Sequence, residues 1–280
     1  MSLILTTKIA PVLKWAGGKT QLLGPIREKV PSHYNNYFEP FVGGAAVLLE
    51  LQPKQATIND INEQLINLYC QLKTSVEDVI KEVKKLDLAP CTKERYYTIR
   101  EWYNKKIEAN VQDAGSAATM IWLNKHCFNG LYRVNKKGLF NVPYNNRVKG
   151  KSIDEDNIRA IGQYLKNEDV NITCKDFEEA CADVKPGDFV YFDSPYVPES
   201  ETADFTNYSK GGFSFKEHKR LANLFRELDK MGAKVMLSNN DVPLVRDFYA
   251  GYNIQSLDVK RMINRNANKR VGKEVLITNY

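Results

Sequence analysis

Short apolar runs that suit β-strands alternate with helix-forming stretches at both ends of this chain. Near the start, the runs Tyr37 to Phe41 and Gln55 to Asn59 flank a Gly43-Gly44 break and the helix-forming stretch Ala45 to Leu51. The alternation resumes after Ile153. Alternating strands and helices are typical of βαβ units and a parallel sheet. The sequence therefore predicts an α/β fold whose sheet is built from both ends of the chain.

The second half supplies the remaining elements of this sheet. Ser214-Phe215-Lys216-Glu217 fits a capping box that opens a helix. We expect helices at Glu155 to Lys166, after Asp176, from Ser214 to about Lys230 and at Val242 to Tyr249, and strands at Val170 to Cys174, Asp188 to Phe192, Ala233 to Leu237, Ile254 to Leu257 and Glu274 to Tyr280. Val197 to Phe213, with its Pro, Ser, Thr and Gly residues, suits a mobile lid.

A different pattern separates the two ends. From Ile61 to about His126, apolar residues recur at helical spacing among charged ones. Phe128 to Tyr144 is rich in asparagine, glycine, aromatic and basic residues, and Lys136-Lys137-Gly138 suits a turn between two extended arms. The sheet is therefore interrupted by a mainly helical insert.

Composition narrows the class of protein. The chain has 280 residues and a formal net charge of +6, which mildly favours anionic partners. Its five cysteines form no C-x-x-C pair and its three histidines no H-E-x-x-H spacing, which argues against a disulfide framework and a zinc site. Met1 to Leu5 is too short for a signal segment, and no apolar stretch reaches membrane-spanning length. We expect a cytoplasmic protein with no resident metal and no membrane partner.

The tetrapeptide Asp193-Ser194-Pro195-Tyr196 directly follows the apolar run that ends at Phe192. Ligands of open α/β sheets bind outside the carboxyl ends of strands. There the Asp193 carboxylate and the Ser194 carbonyl can accept both hydrogens of one exocyclic amine, while Tyr196 offers a stacking face. Pro195 restricts Ser194 to extended conformations. The alternative interpretation is an ordinary Asx or proline turn.

Two glycine-rich segments invite a nucleotide-binding interpretation. Lys14 to Thr20 ends like a phosphate loop, but position 13 is leucine where that motif needs glycine, which argues against an NTPase. Glu39-Pro40-Phe41-Val42-Gly43-Gly44 lies at a strand-to-helix turn, and Asp60 follows Gly43 by 17 residues at the next strand end. An acid there can hold ribose hydroxyls, and S-adenosylmethionine is one ligand that fits. A purely structural βα turn is the alternative.

Taken in order, several motifs resemble the Dam-type DNA adenine-N6 methyltransferases (group alpha, D12 class). They are Lys14 to Lys19, Phe38 to Gly44, Ile58 to Asn62, Phe128 to Arg133, Phe140 to Pro143, Asp193 to Tyr196 and Leu237 to Asn239. The resemblance implies a Rossmann-like S-adenosylmethionine-dependent methyltransferase sheet with a mainly helical target-recognition insert. It places the catalytic domain at residues 1–61 and 161–280, and the recognition domain at 62–160.

The resemblance also implies roles for individual residues. Asp193, Ser194, Pro195 and Tyr196 would be catalytic, acting on an adenine flipped out of duplex DNA. S-adenosylmethionine, which becomes S-adenosylhomocysteine, would be bound by Trp15, Ala16, Gly17, Lys19, Glu39, Pro40, Phe41, Gly43, Asp60, Asp176, Phe177 and Asp193. For Asp176, an ordinary helix N-cap is the alternative.

For target reading, the same comparison points to the segment before Tyr144. Lys14 and Arg133 would each read a guanine of G-A-T-C, Leu131 and Pro143 would meet thymine, Phe128 would intercalate and Asn129 would hold the opened pair, with Asn135 in the same interface. Phosphate contacts would come from Lys136, Lys137, Arg147, Lys149 and Lys151, for which a solvated surface is the alternative. The late basic residues Arg265, Lys269 and Arg270 are equally ambiguous.

We therefore predict a site-specific DNA adenine-N6 methyltransferase that acts as a monomer on double-stranded DNA. A cognate restriction endonuclease as a system-level partner, a regulatory role and a phage origin all remain open from the sequence. The family pattern has proline where this chain has Ser194, which leaves the rate in question. The alternatives are activity on single-stranded DNA or RNA, a longer site such as G-A-T-A-T-C, and a catalytically weakened DNA-binding homologue.

Overall fold

The computed structural model describes residues 9–146, 150–197, 213–260 and 271–280. The predictions for the first residues, for Arg147 and Lys149, for positions 198–212 of the expected lid and for the basic loop 261–270 lie outside these ranges. In chain order the described elements are α1 (Leu23–Lys29), β1 (Tyr37–Glu39), α2 (Ala46–Leu51), β2 (Gln55–Asn59), α3 (Glu63–Thr74), α4 (Val76–Asp87), α5 (Lys93–Glu108), α6 (Ala114–His126), α7 (Glu155–Asn167), β3 (Asp169–Thr173), α8 (Phe177–Ala180), β4 (Phe189–Phe192), α9 (Phe215–Met231), β5 (Lys234–Asn240), α10 (Pro243–Phe248), β6 (Asn253–Lys260) and β7 (Val271–Thr278).

The chain divides into two compact units. The first comprises Met1–Lys19, Val42–Lys54 and Asp60–Cys174, and the second comprises Thr20–Phe41, Gln55–Asn59 and Lys175–Tyr280. The predicted catalytic and recognition domains have other bounds and remain a prediction.

The first unit is mainly helical, as its 3.6-residue periodicity predicts. Helix α6 packs against α3, α4 and α5, and its residues from Ser116 to Asn124 are all buried. A helix that is apolar nearly all round suits this central position. Asp113 starts α6 by accepting a hydrogen bond from the Ser116 amide at 2.6 Å, so the local sequence fixes where the central helix begins.

In the second unit, six strands form a sheet in the order β2-β1-β4-β5-β7-β6. Within the second unit, β2, β1, β4 and β5 are parallel, whereas β7 pairs antiparallel with both β5 and β6. The strand order reverses between β1 and β4. In an open α/β sheet such a reversal marks the place where ligands bind, outside the carboxyl ends of the strands.

The core of the second unit lies between the sheet and helices α9 and α10. Val190, Phe192 and Leu237 from the strands pack with Leu221 and Phe225 from α9. The mixed α/β architecture with a Rossmann-like sheet confirms the predicted fold class. Among the described residues, no helix combines the length and apolar character needed to cross a membrane.

Most element bounds follow the sequence pattern, but three strands extend beyond it. Strand β5 continues past the expected end at Leu237 to Asn240, β7 begins at Val271 instead of Glu274, and β6 spans Asn253–Lys260 instead of Ile254 to Leu257. Strands β5 and β7 pair antiparallel from Met236 opposite Thr278 to Asn240 opposite Glu274. The ladder therefore holds three buried polar residues, Ser238 to Asn240, in a strand that their propensities alone would end.

Candidate active site

The catalytic segment (residues 193–197) leaves the carboxyl end of β4. The β4–β5 register places Phe192 opposite Leu237, so Asp193 and Ser238 follow side by side. The Ser238 hydroxyl donates to Asp193 Oδ1 at 3.4 Å and lies 2.8 Å from the Tyr191 hydroxyl. A buried chain of hydroxyl groups thus leads to the Asp193 carboxylate and limits its orientation.

The rest of the catalytic segment is bonded to β5 and β7. Asn239 Nδ2 donates to Ser194 Oγ, and the backbone of Val197 bonds both Asn239 and Asn240. The half-buried Tyr196 donates its hydroxyl to Glu274 Oε2 at 2.5 Å. These contacts hold the segment in one orientation, and groups that take part in a reaction must be held in this way.

The end of β1 lies at the same reversal of strand order. Glu39 is buried and accepts a hydrogen bond from the Tyr37 hydroxyl at 2.7 Å. Asn59, at the end of β2, donates to the carbonyls of Pro40 and Lys175 at 3.0 and 2.9 Å. One buried amide therefore joins the end of β1 to the turn that precedes Asp176.

Asp176 and Phe177 form an acidic and aromatic corner in the second unit. Asp176 caps α8 through the Glu178 amide at 3.0 Å, so the ordinary N-cap interpretation is correct for one of its oxygens. Arg220 bridges the carboxylates of Asp176 and Glu178, at 2.7 Å each, with its guanidinium over the Phe177 ring. The ring of Phe41 lies 5.4 Å from that of Phe177. An aromatic face beside an oriented carboxylate suits a purine ring that carries an amine.

In the first unit, Asp60 and the Gly43 turn form a second group. Asp60 is half-buried and accepts hydrogen bonds from the amides of Gly43, at 3.2 Å, and Asn62, at 2.9 Å. Burial raises the pKa of the Asp60 carboxyl above its ordinary value, while these backbone amides act in the opposite direction. Such a carboxylate, kept partly accessible, can accept hydrogen bonds from ribose hydroxyls.

Gly43 has to be a glycine because of Trp15. It adopts φ +46°, and a Cβ atom there would lie 2.9 Å from Trp15 Cδ1. The Trp15 ring also stacks on Tyr132, with ring centroids 5.1 Å apart. The indole therefore contacts both the Gly43 turn and Tyr132, where it can border a ligand.

The remaining glycine-rich residues lie next to Trp15. Ala16 and Gly17 are exposed, and Lys19 is only 2% exposed with its ammonium 2.9 Å from the Gly17 carbonyl oxygen. The lysine thus binds the backbone of its own loop, which agrees with the argument against a phosphate loop.

The recognition segment (residues 128–143) is a pair of short arms with the predicted turn between them. Val134 and Phe140 form an antiparallel bridge, and Gly138 closes the turn at φ +76°. The Asn135 side-chain oxygen accepts the amides of Lys137 and Leu139, so it has a structural role in the turn in addition to its predicted contact. Phe128, Asn129, Arg133 and Pro143 are exposed, and Leu131 is half-buried.

Lys14 lies beside the recognition segment. The Asn124 side chain donates to the carbonyls of Lys14 and Gly130, both at 2.9 Å. The Lys14 stem packs so closely on Gly130 that a Cβ atom there would lie 2.5 Å from Lys14 Cδ. The structure therefore brings together the two parts of the sequence to which base reading was assigned.

The predicted residues assemble within each unit. The second unit gathers Glu39, Pro40, Phe41, Asp176, Phe177 and Asp193 to Tyr196, and the first gathers Trp15 to Lys19 with Gly43 and Asp60. Five neighbours were not predicted as site residues: Asn59, Tyr132, Arg220, Ser238 and Asn239. Asn59, Tyr132, Ser238 and Asn239 lie inside motifs that carry the family resemblance, but Arg220 has no sequence signal because charged helix residues usually face solvent.

Comparison with known proteins identifies the family. Residues 15–263 match the model of the D12 class N6 adenine-specific DNA methyltransferases. The chain is 41% identical to the type II methyltransferase M1.LlaDCHI of Lactococcus lactis subsp. cremoris, with 100% of this chain and 99% of the relative covered. It is 43% identical to the type II methyltransferase M.MjaIII of Methanocaldococcus jannaschii, covering 98% and 100%.

A third relative has a different name. The chain is 34% identical to a DNA adenine methylase of Serratia marcescens, with 91% of this chain and 92% of the relative covered. The family resemblance predicted from the motifs is confirmed, and membership implies DNA as substrate and S-adenosylmethionine as methyl donor. The chain therefore belongs to the D12 class of N6 adenine-specific DNA methyltransferases, and it is an adenine-specific DNA methyltransferase.

Proposed function

We propose that this enzyme methylates the N6 amine of an adenine flipped out of duplex DNA, within the sequence G-A-T-C. The observation that carries the proposal is the catalytic segment, which presents Asp193 and Ser194 at the carboxyl end of β4, beside the reversal of strand order. Chemistry on a base requires access that a stacked base pair does not give.

The amine is a poor nucleophile because its lone pair is delocalised into the purine ring. The Asp193 carboxylate and the Ser194 carbonyl accept its two hydrogens and thereby localise the lone pair, and Tyr196 stacks on the flipped base. With the methyl donor bound, the aligned amine nitrogen would take up the methyl group that the donor supplies, and the surplus amine proton would pass to solvent while Asp193 and Ser194 hold the amine in line. Alignment of this kind supplies about 7–11 kcal/mol of barrier reduction.

The cofactor roles are divided among the residues of each unit. We assign the ribose hydroxyls to the half-buried Asp60 of the first unit, with Trp15, Ala16, Gly17, Lys19 and Gly43 bordering the methyl donor. We assign the adenine ring of the cofactor to Phe41 and Phe177 and its amine to Asp176, with Glu39, Pro40 and Asp193 beside the donor. The chemistry of both groups fits the cofactor. When bound, it supplies an electrophilic methyl group on a sulfonium.

Target reading belongs to Lys14 and the recognition segment. The exposed Arg133 can bond both major-groove acceptors of a guanine, and Leu131 and Pro143 can contact thymine methyl groups. Phe128, 51% exposed, is available to wedge into the base stack, with Asn129 on the opened pair and Asn135 at the turn. The exposed Lys136, Lys137 and Lys151 suit phosphate contacts.

We further propose that the enzyme acts as a monomer and that an endonuclease of the same specificity accompanies it. The first proposal rests on a single chain that carries residues suited to every step. The second is supported by relatives that are named type II methyltransferases.

Methyl-site mapping tests the proposed function. Duplex DNA, a longer G-A-T-A-T-C site and matched single strands are incubated with the enzyme and S-adenosylmethionine, and N6-methyladenine is located by sequencing. We expect methylation of duplex G-A-T-C, and Asp193→Ala should lower the rate at least about 100- to 1000-fold because it removes a preorganised acceptor of the reaction.

The exposed Asp183 provides the matched control, since Asp183→Ala removes a carboxylate in the same unit and should leave the rate unchanged. Methylation confined to single strands would replace duplex DNA as the substrate. Full activity of Asp193→Ala would reject the proposed mechanism, and cofactor binding without transfer would support a weakened homologue.

A further inference from the structure

Ser194 departs from the family pattern, which has proline at this position, and its side chain is buried and hydrogen-bonded. It is 2% exposed, and its hydroxyl oxygen accepts a hydrogen bond from Asn239 Nδ2 at 3.2 Å. A proline could not make this contact because its ring carries no hydroxyl group.

The orientation of the Asn239 amide is fixed by its other contacts. Its oxygen accepts the backbone amides of Val197 at 3.1 Å and Asn240 at 2.9 Å. Both partners are donors, so the oxygen must face them and the amide nitrogen must face Ser194. Asn240 adds a bond from its own Nδ2 to the Val197 carbonyl oxygen at 2.6 Å. Residues 194 and 197 are thus attached to the end of β5.

These bonds restrict the backbone of Ser194 further than Pro195 does. A proline ring locks φ near −65°, whereas a serine before a proline is confined to extended conformations with a wider range of φ. Rotation at Ser194 would redirect the carbonyl that accepts the target amine in the proposed function. Misplacement of a reacting group by about 1 Å can cost roughly 100-fold in rate.

We propose that Asn239 is a positioning residue that aims the Ser194 carbonyl through the Ser194 hydroxyl, and that this pair performs the constraint for which the family pattern uses a proline ring. The inference rests on the proposed function of the catalytic segment. The pair is available because β5 continues as a strand through Asn240.

A double-mutant cycle tests the pair, with single-turnover methyl transfer, cofactor binding and DNA binding measured for every variant. Ser194→Ala should slow transfer about 3- to 10-fold, the effect of one hydrogen bond, without changing either binding constant. Ser194→Thr keeps the hydroxyl and should restore the rate. Ser194→Pro should transfer faster than Ser194→Ala, because its ring restricts the backbone in place of the bond.

The cycle compares Asn239→Ala in two backgrounds. In the wild type it removes the bonds to Ser194, Val197 and Asn240, whereas with Ser194→Pro only the bonds to Val197 and Asn240 remain to be lost. The rate penalty should therefore be at least about threefold smaller with proline, since residues in contact are not additive. Ser256→Ala, which removes an exposed hydroxyl that donates to Asp241, is the matched control and should change nothing.

Wild-type rates for Ser194→Ala, or equal Asn239→Ala penalties in both backgrounds, would overturn the inference while leaving adenine methylation intact. Absence of adenine methylation by the wild type would instead reject the proposed function. If Asn239→Ala does not fold, as thermal unfolding would reveal, the Ala, Thr and Pro series at Ser194 decides the question.

Discussion

The catalytic segment and the recognition segment are both irregular in backbone, but they are held in place in different ways. In the catalytic segment the side chains of the proposed catalytic residues are bound: Asp193 by Ser238, Ser194 by Asn239 and Tyr196 by Glu274. In the recognition segment the backbone is bound, because Tyr96 donates to the Val142 carbonyl and Asn104 exchanges two bonds with Phe140.

The difference follows from what each segment has to do. A reacting group must be oriented before its substrate arrives, because reorientation during the reaction adds to the barrier. A base-reading side chain needs a backbone that is held in place and an end that is accessible, because its final contacts are made with the DNA. Polar side chains of α5 and α6 bind the backbone of the recognition segment, while Phe128, Asn129 and Arg133 stay exposed.

Asp60 lies in the same unit as the recognition segment, but its side chain is held by hydrogen bonds as those of the catalytic segment are. The backbone amides of Gly43 and Asn62 donate to its carboxylate. Asp60→Asn should weaken cofactor binding roughly 100-fold, the loss expected when two hydrogen bonds to a charged group are removed. The wild-type affinity should be full above the raised pKa of Asp60 and fall as the pH drops through it, at a pH above the ordinary value of 3.8.

Titration calorimetry of S-adenosylmethionine across this acidic range, on folded protein, measures both effects. Asp60→Asn should abolish the acidic decline, because the amide does not titrate there. A decline that persists in the variant would assign it to another group and remove Asp60 from the cofactor.

Arg133 tests the role of the exposed side chains in the recognition segment. Its exposed guanidinium donates from Nε to Asn141 Oδ1 at 2.8 Å and makes a longer 3.5 Å contact from Nη2 to the Asn141 carbonyl oxygen. Arg133→Ala should lower kcat/KM on the target about 30-fold, the middle of the range for a bidentate base contact, and leave cofactor binding unchanged. Methylation rates on sites with each base pair substituted in turn measure the discrimination.

The variant should lose selectivity at one guanine and keep it at the others. An equal loss on every sequence would make Arg133 a phosphate contact. Loss of thermal stability would indicate that the Asn141 bonds are structural, and the recognition role would then fall.

The sequence predicts elements well where one segment suffices. Strand β2 has the predicted bounds Gln55–Asn59, and Ser214 caps α9 through the Glu217 amide as the capping box requires. The position of Asp193 at a strand end could be predicted because it follows an apolar run. The Ser194–Asn239 bond could not, since it depends on the β4–β5 register and on a strand that continues through asparagines.

The same limit applies in the first unit. The stack of Tyr132 on Trp15 joins residues more than 100 positions apart, and neither residue has a local pattern that would reveal the contact. Side chains that hold other side chains are thus the part of a site that spacing alone does not encode.

Lys136 is the residue for which we expect the smallest effect. It is exposed at the turn of the recognition segment, and its side chain makes no hydrogen bond or ion pair with the described residues. As a phosphate contact it adds affinity without sequence information, so Lys136→Ala should weaken DNA binding about threefold on target and non-target duplexes alike, and lower the slope of log K against log salt by about one. Fluorescence anisotropy over a salt series measures both quantities.

The exposed Lys166 on α7 is the matched control, and Lys166→Ala should change neither. A selective loss on the target would turn Lys136 into a base-reading residue, and no change at all would make it part of the solvated surface. Between these outcomes the salt slope decides, because only a residue that displaces counterions alters it.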